Sequence, residues 1–110
     1  MIGGDGMEKI IVYYKLRENK SAEEYEDYFR NEKYSVVMNF PSVKEFKLYR
    51  ADEMLTGKKE FDFLGELTVT SIEEYKKDRD SEAFKEFIEK WVSYALPESM
   101  KVVSLKEIKA

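Results

Sequence analysis

Apolar residues recur along this chain in blocks whose spacing predicts strands and helices in alternation. Residues 9–16 form a nearly continuous run of β-branched and aromatic side chains, which predicts a first strand. A continuous run, unlike an alternating one, indicates a strand that is covered on both faces. Helices can cover one face of such a strand. The simplest cover for the other face is a second sheet from a partner chain.

The first helix is predicted to begin with a capping box. The Ser21 side chain is expected to accept a hydrogen bond from the backbone amide of Glu24, and the Glu24 carboxylate to accept one from the backbone amide of Ser21. The helix should end before Pro41, because the residue that precedes a proline disfavours helical backbone angles. Apolar side chains follow at near-helical spacing and predict one buried stripe: Ala22, Tyr25, Tyr28, Phe29 and Val36.

Two strands joined by a hairpin loop are predicted next. Residues 43–49 form strand two, and residues 51–60, which contain Gly57, form the loop. Strand three covers residues 61–69, with Phe61, Phe63, Gly65, Leu67 and Val69 on one face. A glycine inside a strand indicates a bulge or the close approach of another group.

A second capping box, Ser71 with Glu74, predicts the start of another helix. Residues 78–80 should interrupt this helix, and Pro97 should end the segment that follows. Residues 100–108 are predicted to form strand four. Between the interruption and Pro97, apolar residues recur at intervals of three and four and indicate an amphipathic helix: Ala83, Phe84, Phe87, Ile88, Trp91, Val92 and Ala95.

A short internal sequence repeat supports this order of elements. Residues 21–25 (SAEEY) match residues 71–75 (SIEEY), and each copy lies between two predicted strands. A ferredoxin-like fold consists of two such βαβ halves in tandem. The sequence therefore predicts an α+β protein of βαββαβ order with a four-stranded antiparallel sheet.

Length and composition agree with one domain. The chain has 110 residues, of which 43% are apolar and 15% aromatic. A chain of this size buries roughly two-thirds of its unfolded surface, which suffices for a core. We predict a flexible tail over residues 1–7 and a single domain over residues 8–110. No apolar run approaches the ~18 residues of a membrane helix, and no signal region opens the chain, so a cytoplasmic location without membrane partners is expected.

The chain contains no cysteine and no histidine. Thiolate nucleophiles, zinc-finger sites and catalytic triads that use histidine are therefore excluded. Acid–base chemistry has to use Asp, Glu, Lys or Tyr. We expect no metal and no cofactor. The net charge is −4, and acidic and basic residues are interspersed along the chain without a continuous basic stripe. This distribution argues against nucleic acid as a partner.

Several segments resemble a known superfamily. They are residues 25–33 (YEDYFRNEK), 41–46 (PSVKEF), 61–67 (FDFLGEL) and 71–75 (SIEEY). They resemble the dimeric α+β barrel superfamily and, within it, the EthD-like and REDY-like proteins. The resemblance implies that helices cover one face of the sheet and that two subunits join their open sheet faces in a homodimer. Many EthD-like members carry a histidine late in helix one, where this chain has Lys33, so their chemistry does not carry over.

Four residues are candidates for binding a small organic ligand: Tyr13, Lys33, Tyr49 and Phe63. Lys33 can act as a base or form a Schiff base only if burial lowers its pKa; an exposed helix lysine is the ordinary alternative. Tyr13 and Tyr14 should lie on opposite faces of strand one, so that one of them faces the helices. The tyrosines can line a cavity or simply pack in the core. No catalytic residue is assigned.

One further pair of residues carries possible chemistry. Asp62 and Glu66 are expected to share a strand face, where they could share a proton or bind a cation. The ordinary alternative is an exposed strand edge.

Two classes of function remain open. The chain is a small-molecule protein, either an enzyme without a cofactor or a binder, or it is a non-catalytic dimeric interaction module. A pocket of ~300 Å³ or more with convergent polar groups would favour the first class.

Overall fold

Four strands form one antiparallel sheet in the order β2-β3-β1-β4, with helices packed on one face. This computed structural model describes residues 7–110; residues 1–6 of the predicted tail lie outside the described residues. The strands are β1 (Glu8–Tyr14), β2 (Val43–Arg50), β3 (Phe63–Val69) and β4 (Lys101–Leu105). The helices are α1 (Ala22–Tyr28), α2 (Tyr34–Met38), α3 (Ile72–Arg79) and α4 (Glu82–Trp91), with a π-helical turn at Phe29–Lys33 and a 3₁₀ turn at Pro97–Ser99. The predicted ferredoxin-like βαββαβ fold is confirmed.

Strand alternation separates a helix-covered face from an open face. On β1, Ile10 and Tyr14 are buried beneath the helices, whereas Ile11 and Tyr13 point to the open face. On β3, Phe63, Gly65, Leu67 and Val69 are all buried on the helix side. Tyr13 and Tyr14 therefore lie on opposite faces, as predicted, and Tyr14 is the one that faces the helices.

A bulge changes the alternation of β2. The pairing with β3 shifts between Val43 and Glu45, so that Val43 and Phe46 both face the core although they are three residues apart. An unbroken strand would have placed Tyr49 on the same face as Val43. The bulge instead sends Tyr49 to the open face, where half of its surface is exposed to solvent.

The structure corrects three details of the predicted elements. Phe61 precedes β3 and does not share the face of Phe63; its ring contacts Tyr13 edge-on at 5.4 Å between centroids. The capping box at Ser71 is half formed: Ser71 accepts a bond from the Glu74 amide, while the Glu74 carboxylate pairs with Lys77 at 3.2 Å. Strand β4 ends at Leu105 rather than at residue 108.

The break between α3 and α4 is held by a buried carboxylate. Asp78 accepts hydrogen bonds from the backbone amide of Ser42, at 2.9 Å, and from the Ser42 hydroxyl. Both residues are buried, so this contact fastens the end of α3 to the turn that precedes β2. Ser81 then caps α4 by accepting a bond from the Phe84 amide at 3.1 Å. The helix is interrupted as predicted, but the break lies at residues 80–81 rather than 78–80, because Asp78 and Arg79 still belong to α3.

The core has two clusters along the sheet. One is built on Ile10, Phe46, Leu67 and Val69, and the other is mostly aromatic. In the aromatic cluster the indole of Trp91 meets the ring of Tyr14 edge-on at 5.1 Å. Within residues 7–110, no helix is long and apolar enough to cross a lipid bilayer.

The first prediction concerns the docking of α4. We expect Trp91→Ala to lower the free energy of unfolding by about 3–5 kcal/mol, because it removes the largest side chain of the aromatic cluster. Urea denaturation followed by circular dichroism measures this loss. Trp91→Phe retains most of the ring volume and should cost clearly less. A loss below about 1 kcal/mol for the alanine variant would contradict the packing described here.

Candidate functional site

A cavity of about 290 Å³ lies between the sheet and the helices. Most of its lining is apolar and comes from the four strands, from α2 and α4, and from the segments beside them: Val12, Val37, Phe40, Val43, Phe46, Gly65, Leu67, Phe84, Phe87, Ile88, Trp91, Met100 and Val102. Its polar lining groups are Tyr14, Lys33, Tyr75 and Arg79. The exposed residues Arg79 and Val102 mark the mouth, between α3 and the edge strand β4.

Gly65 keeps part of this cavity open. A Cβ atom at this position would lie 3.2 Å from the ring of Phe46. The glycine predicted to mark a close approach therefore does so, because the ring of Phe46 occupies the space beside it.

Lys33 reaches the cavity because a π-helical turn carries it inward. The turn closes when the Tyr34 amide donates to the Phe29 carbonyl, five residues earlier. In a regular α-helix Lys33 would lie about 80° around the axis from Tyr25, eight residues before it. The wider turn advances each residue by a smaller angle and brings Lys33 back towards the face of Tyr25. The lysine side chain is consequently 95% buried, with a relative exposure of 5%.

The Lys33 amine is hydrogen-bonded to two phenols. Its Nζ lies 3.0 Å from the hydroxyl of Tyr14 and also contacts the hydroxyl of Tyr25. The two hydroxyls contact each other, and the indole Nε1 of Trp91 donates to Tyr25 at 3.1 Å. Strand β1, helix α1 and helix α4 each contribute one of these three aromatic residues.

Aromatic rings complete the surroundings of the amine. Nζ lies 5.0 Å and 5.1 Å from the ring centroids of Tyr25 and Tyr14, and 5.6 Å and 5.9 Å from those of Phe46 and Phe87. Ring faces attract a cation, but less strongly than water or a carboxylate does. The charged form of the amine is therefore only partly compensated.

Burial lowers the pKa of Lys33 from 10.5 to about 7. Desolvation is the cause, and no carboxylate in the described part of the chain opposes it. Burial acts in the opposite direction on the phenols and raises the pKa of both Tyr14 and Tyr25. Near neutral pH the phenols therefore keep their protons, while the amine exchanges between its charged and neutral forms.

Two hydrogen-bond donors of this network have no acceptor within it. Because Trp91 and Lys33 both donate to the Tyr25 oxygen, the hydroxyl proton of Tyr25 is directed to Tyr14. The Tyr14 oxygen then accepts from Tyr25 and from Lys33. The hydroxyl proton of Tyr14 and the third N–H of the ammonium have no acceptor within the network. Both residues line the cavity, so its polar end presents two hydrogen-bond donors.

The four predicted ligand residues do not come together. Lys33 lines the cavity, and Phe63 lies behind it, packed against Tyr25 at 4.8 Å between ring centroids. Tyr13 and Tyr49 belong to the open face of the sheet. Sequence reasoning considered Tyr14 as a cavity residue but did not include it among the four, and it did not assign Tyr25 or Trp91 to the site. Strand alternation could have selected Tyr14, whereas the turn that joins Lys33 to Tyr25 has no sequence signature.

The two carboxylates of the possible cation site are also separate. Asp62 accepts a hydrogen bond from the Leu16 amide at 2.8 Å and pairs with Lys59 at 3.2 Å. Glu66 pairs with Lys9 at 3.1 Å. Within residues 7–110, no group of three or more acidic residues could hold a metal ion.

The fold and the cavity define a ferredoxin-like α+β protein with a largely apolar site between its sheet and its helices. The family of the REDY-like protein HapK matches residues 8–108, and the chain belongs to this family. The resemblance to REDY-like and EthD-like proteins is confirmed. No curated protein matches the sequence.

Solved structures share the fold at low sequence identity. HapK from Hahella chejuensis is 16% identical, with a TM-score of 0.72 over 93% of this chain and 94% of that one. An EthD family protein from Bacillus halodurans is also 16% identical, with a TM-score of 0.72 over 93% and 99%. The hydroxynitrile lyase of Passiflora edulis is 17% identical, with a TM-score of 0.72 over 94% and 97%.

The second prediction follows from the lowered pKa of Lys33. Between pH 7 and 10.5 the unfolded chain binds a proton that the folded chain has released, so the free energy of unfolding rises with pH. The limiting slope is about 1.4 kcal/mol per pH unit. Relative to Lys33→Met, the wild-type protein should gain about 2–3 kcal/mol between pH 7.5 and 9.5.

Urea denaturation of both proteins at several pH values measures this difference. Subtracting the variant cancels the contributions of the other titrating groups. The exposed Lys76 offers a matched control, since Lys76→Met should run parallel to the wild type. A constant difference between wild type and Lys33→Met would contradict the lowered pKa.

Proposed function

We propose that this protein binds a small, largely apolar organic molecule in the cavity, with an oxygen atom of the ligand against Lys33 and Tyr14. The observation that carries this proposal is a pair of hydrogen-bond donors, on Lys33 and Tyr14, that have no acceptor within their own network and belong to residues lining a largely apolar cavity. Buried donors without acceptors are costly, so an acceptor group on a ligand is the natural complement. The domain over residues 8–110 is proposed to act as a single unit.

The size of the cavity limits the ligand. A volume of about 290 Å³ is at the lower end of the range for small-molecule sites. An apolar cavity of ~150 Å³ holds benzene, so a substituted single ring or a short chain of similar bulk fits here. Arg79 at the mouth is cationic and no lining residue among those described is acidic, so an acidic group on the ligand would meet no repulsion from the lining.

The same arrangement supports an enzyme without a cofactor. A general base works best when its pKa is near the ambient pH, and burial brings the pKa of Lys33 to about 7. Tyr14 is close enough to pass a proton to or from a bound oxygen. The hydroxynitrile lyase with this fold is an enzyme by its name. We propose that Lys33 and Tyr14 act as an acid–base pair.

A homodimer is the proposed assembly. The open face of the sheet carries Ile11, Tyr13, Tyr49, Leu64, Val103 and Leu105, and the last two are 45% and 48% exposed in the single chain. Pairing two such faces would cover both sides of β1, as its sequence predicts. A Bacteroides fragilis protein with this fold, 14% identical with a TM-score of 0.64, is described as dimeric.

The alternative function is a non-catalytic interaction module. The open face of the sheet supports this alternative, because such a module needs only this surface. A cytoplasmic location, and the lack of nucleic-acid and membrane partners, remain predictions from the sequence.

The third prediction tests ligand binding. Acetophenone and α-methylstyrene have nearly the same shape, but only the ketone carries an acceptor oxygen. We expect acetophenone to bind at least roughly tenfold more tightly, because it satisfies a donor that the hydrocarbon leaves unpaired. Trp91 is the single tryptophan of the chain and lines the cavity, so its fluorescence reports both titrations.

A control variant locates the effect. In Lys33→Met the advantage of the ketone should largely vanish, whereas Lys76→Met should retain it. Failure of both compounds to bind the wild-type protein would overturn the proposed function.

The fourth prediction tests the dimer. Val103 and Val102 are neighbours on β4 with similar exposure, but they point to opposite faces of the sheet. Val103→Glu places a charge in the proposed interface and should shift the protein to a monomer in sedimentation velocity at micromolar concentration. Val102→Glu, at the cavity mouth, should remain dimeric. A stable monomer in the wild type would contradict the homodimer.

A further inference from the structure

We propose that Lys33 forms an imine with a small aldehyde or ketone in the cavity and that Tyr14 supplies the proton for this step. The inference rests on the proposed function, since the carbonyl compound has to occupy the same cavity. It goes further because it assigns a covalent step and a substrate class to the site.

The hydrogen bonds of Lys33 leave one of the three N–H positions on its nitrogen without a partner in the network. Two N–H groups of Lys33 are directed to the oxygens of Tyr14 and Tyr25. Loss of the remaining proton turns the third position into a lone pair, which in this proposal points towards the cavity that Lys33 lines. The free hydroxyl proton of Tyr14 lies on an oxygen 3.0 Å from Nζ. A nucleophile and a proton donor therefore converge on the same point.

The chemistry balances without any further reactant. The lone pair of Nζ attacks the carbonyl carbon, and the carbonyl oxygen takes the proton of Tyr14, which recovers one from the amine. The resulting carbinolamine then loses its hydroxyl group as water, assisted by a second proton from Tyr14. The nitrogen releases its last proton to restore the phenol. The net change is an amine plus a carbonyl compound giving an imine plus water.

The lining favours such a ligand. The walls around the amine are aromatic and aliphatic, so the hydrocarbon part of the aldehyde or ketone has an apolar surface to cover. Among residues 7–110, no carboxylate lines the cavity to pair with the amine and keep it charged. The titratable and charged groups around the cavity are the phenols of Tyr14, Tyr25 and Tyr75 and the guanidinium of Arg79 at the mouth.

Lys33 differs from every other lysine that the structure describes. It is the buried one among residues 7–110, and the others are exposed or partly exposed. Burial lowers the pKa of Lys33 to about 7, so at pH 7.5 much of it is neutral. An ordinary lysine is neutral to only about 0.1% at that pH. The remaining lysines therefore serve as internal controls for selectivity.

The test uses benzaldehyde with sodium cyanoborohydride at pH 7.5, which converts an imine into a stable benzyl amine. Intact mass and peptide mapping then locate the label. We expect Lys33 to react on the order of a hundredfold faster than the other lysines. The fast reaction should be absent in Lys33→Met and unchanged in Lys76→Met. α-Methylstyrene, which has a similar shape but no carbonyl group, should slow the labelling of Lys33 alone when added in excess.

Tyr14→Phe tests the proton donor separately. The variant should label Lys33 roughly a hundredfold more slowly, as expected when a general acid is lost. Trp91 fluorescence should show that benzaldehyde still enters the cavity of this variant. An unchanged labelling rate would overturn the assignment of Tyr14.

The outcomes separate this inference from the proposed function. If benzaldehyde quenches Trp91 but the label is absent from Lys33 or spread over the exposed lysines, imine formation is overturned and ligand binding stands. If neither benzaldehyde nor acetophenone binds, both proposals fail. Selective labelling of Lys33 together with the slow Tyr14→Phe reaction supports the mechanism.

Discussion

The burial of one amine without a carboxylate partner is the constraint on which the rest of the site depends. Moving an ammonium ion out of water costs several kcal/mol, and a paired carboxylate is the usual compensation. Lys33 has instead two phenol oxygens and four ring faces, which stabilise the charge only in part. A carboxylate would have fixed Lys33 as a permanent cation. The phenols leave it able to lose its proton near neutral pH.

This constraint also ties the fold to the site. Tyr14 comes from β1, Tyr25 from α1 and Trp91 from α4, so the network joins the sheet to two of the helices that cover it. Any shift of these elements would leave a buried donor unsatisfied, and unsatisfied buried groups destabilise a fold. The π-helical turn is less favourable than a regular helix, but it is the feature that delivers Lys33 to the network. The local backbone irregularity is therefore explained by the contact it permits.

The sequence predicted the elements well because their signals are local. Ser21 pairs with Glu24 and Ser81 with the Phe84 amide, each within three positions, and the structure has a helix start at both places. The candidate site was predicted less well, because it depends on two backbone irregularities, a β-bulge and a π-helical turn, that the amino-acid sequence does not reveal. The bulge after Val43 turns Tyr49 to the open face, and the π-helical turn brings Lys33 to Tyr25. Each shifts the phase of its element, so residue spacing alone gives the wrong face.

The lysine also has to be considered together with the lack of histidine in this sequence. An imidazole titrates near pH 6.5 without help. This chain reaches nearly the same range by burying an amine. The two groups are not equivalent, because a neutral imidazole donates and accepts through different atoms, whereas an amine has its proton and its nucleophilic lone pair on one nitrogen. An aromatic enclosure that would be dispensable around a histidine is thus required around Lys33.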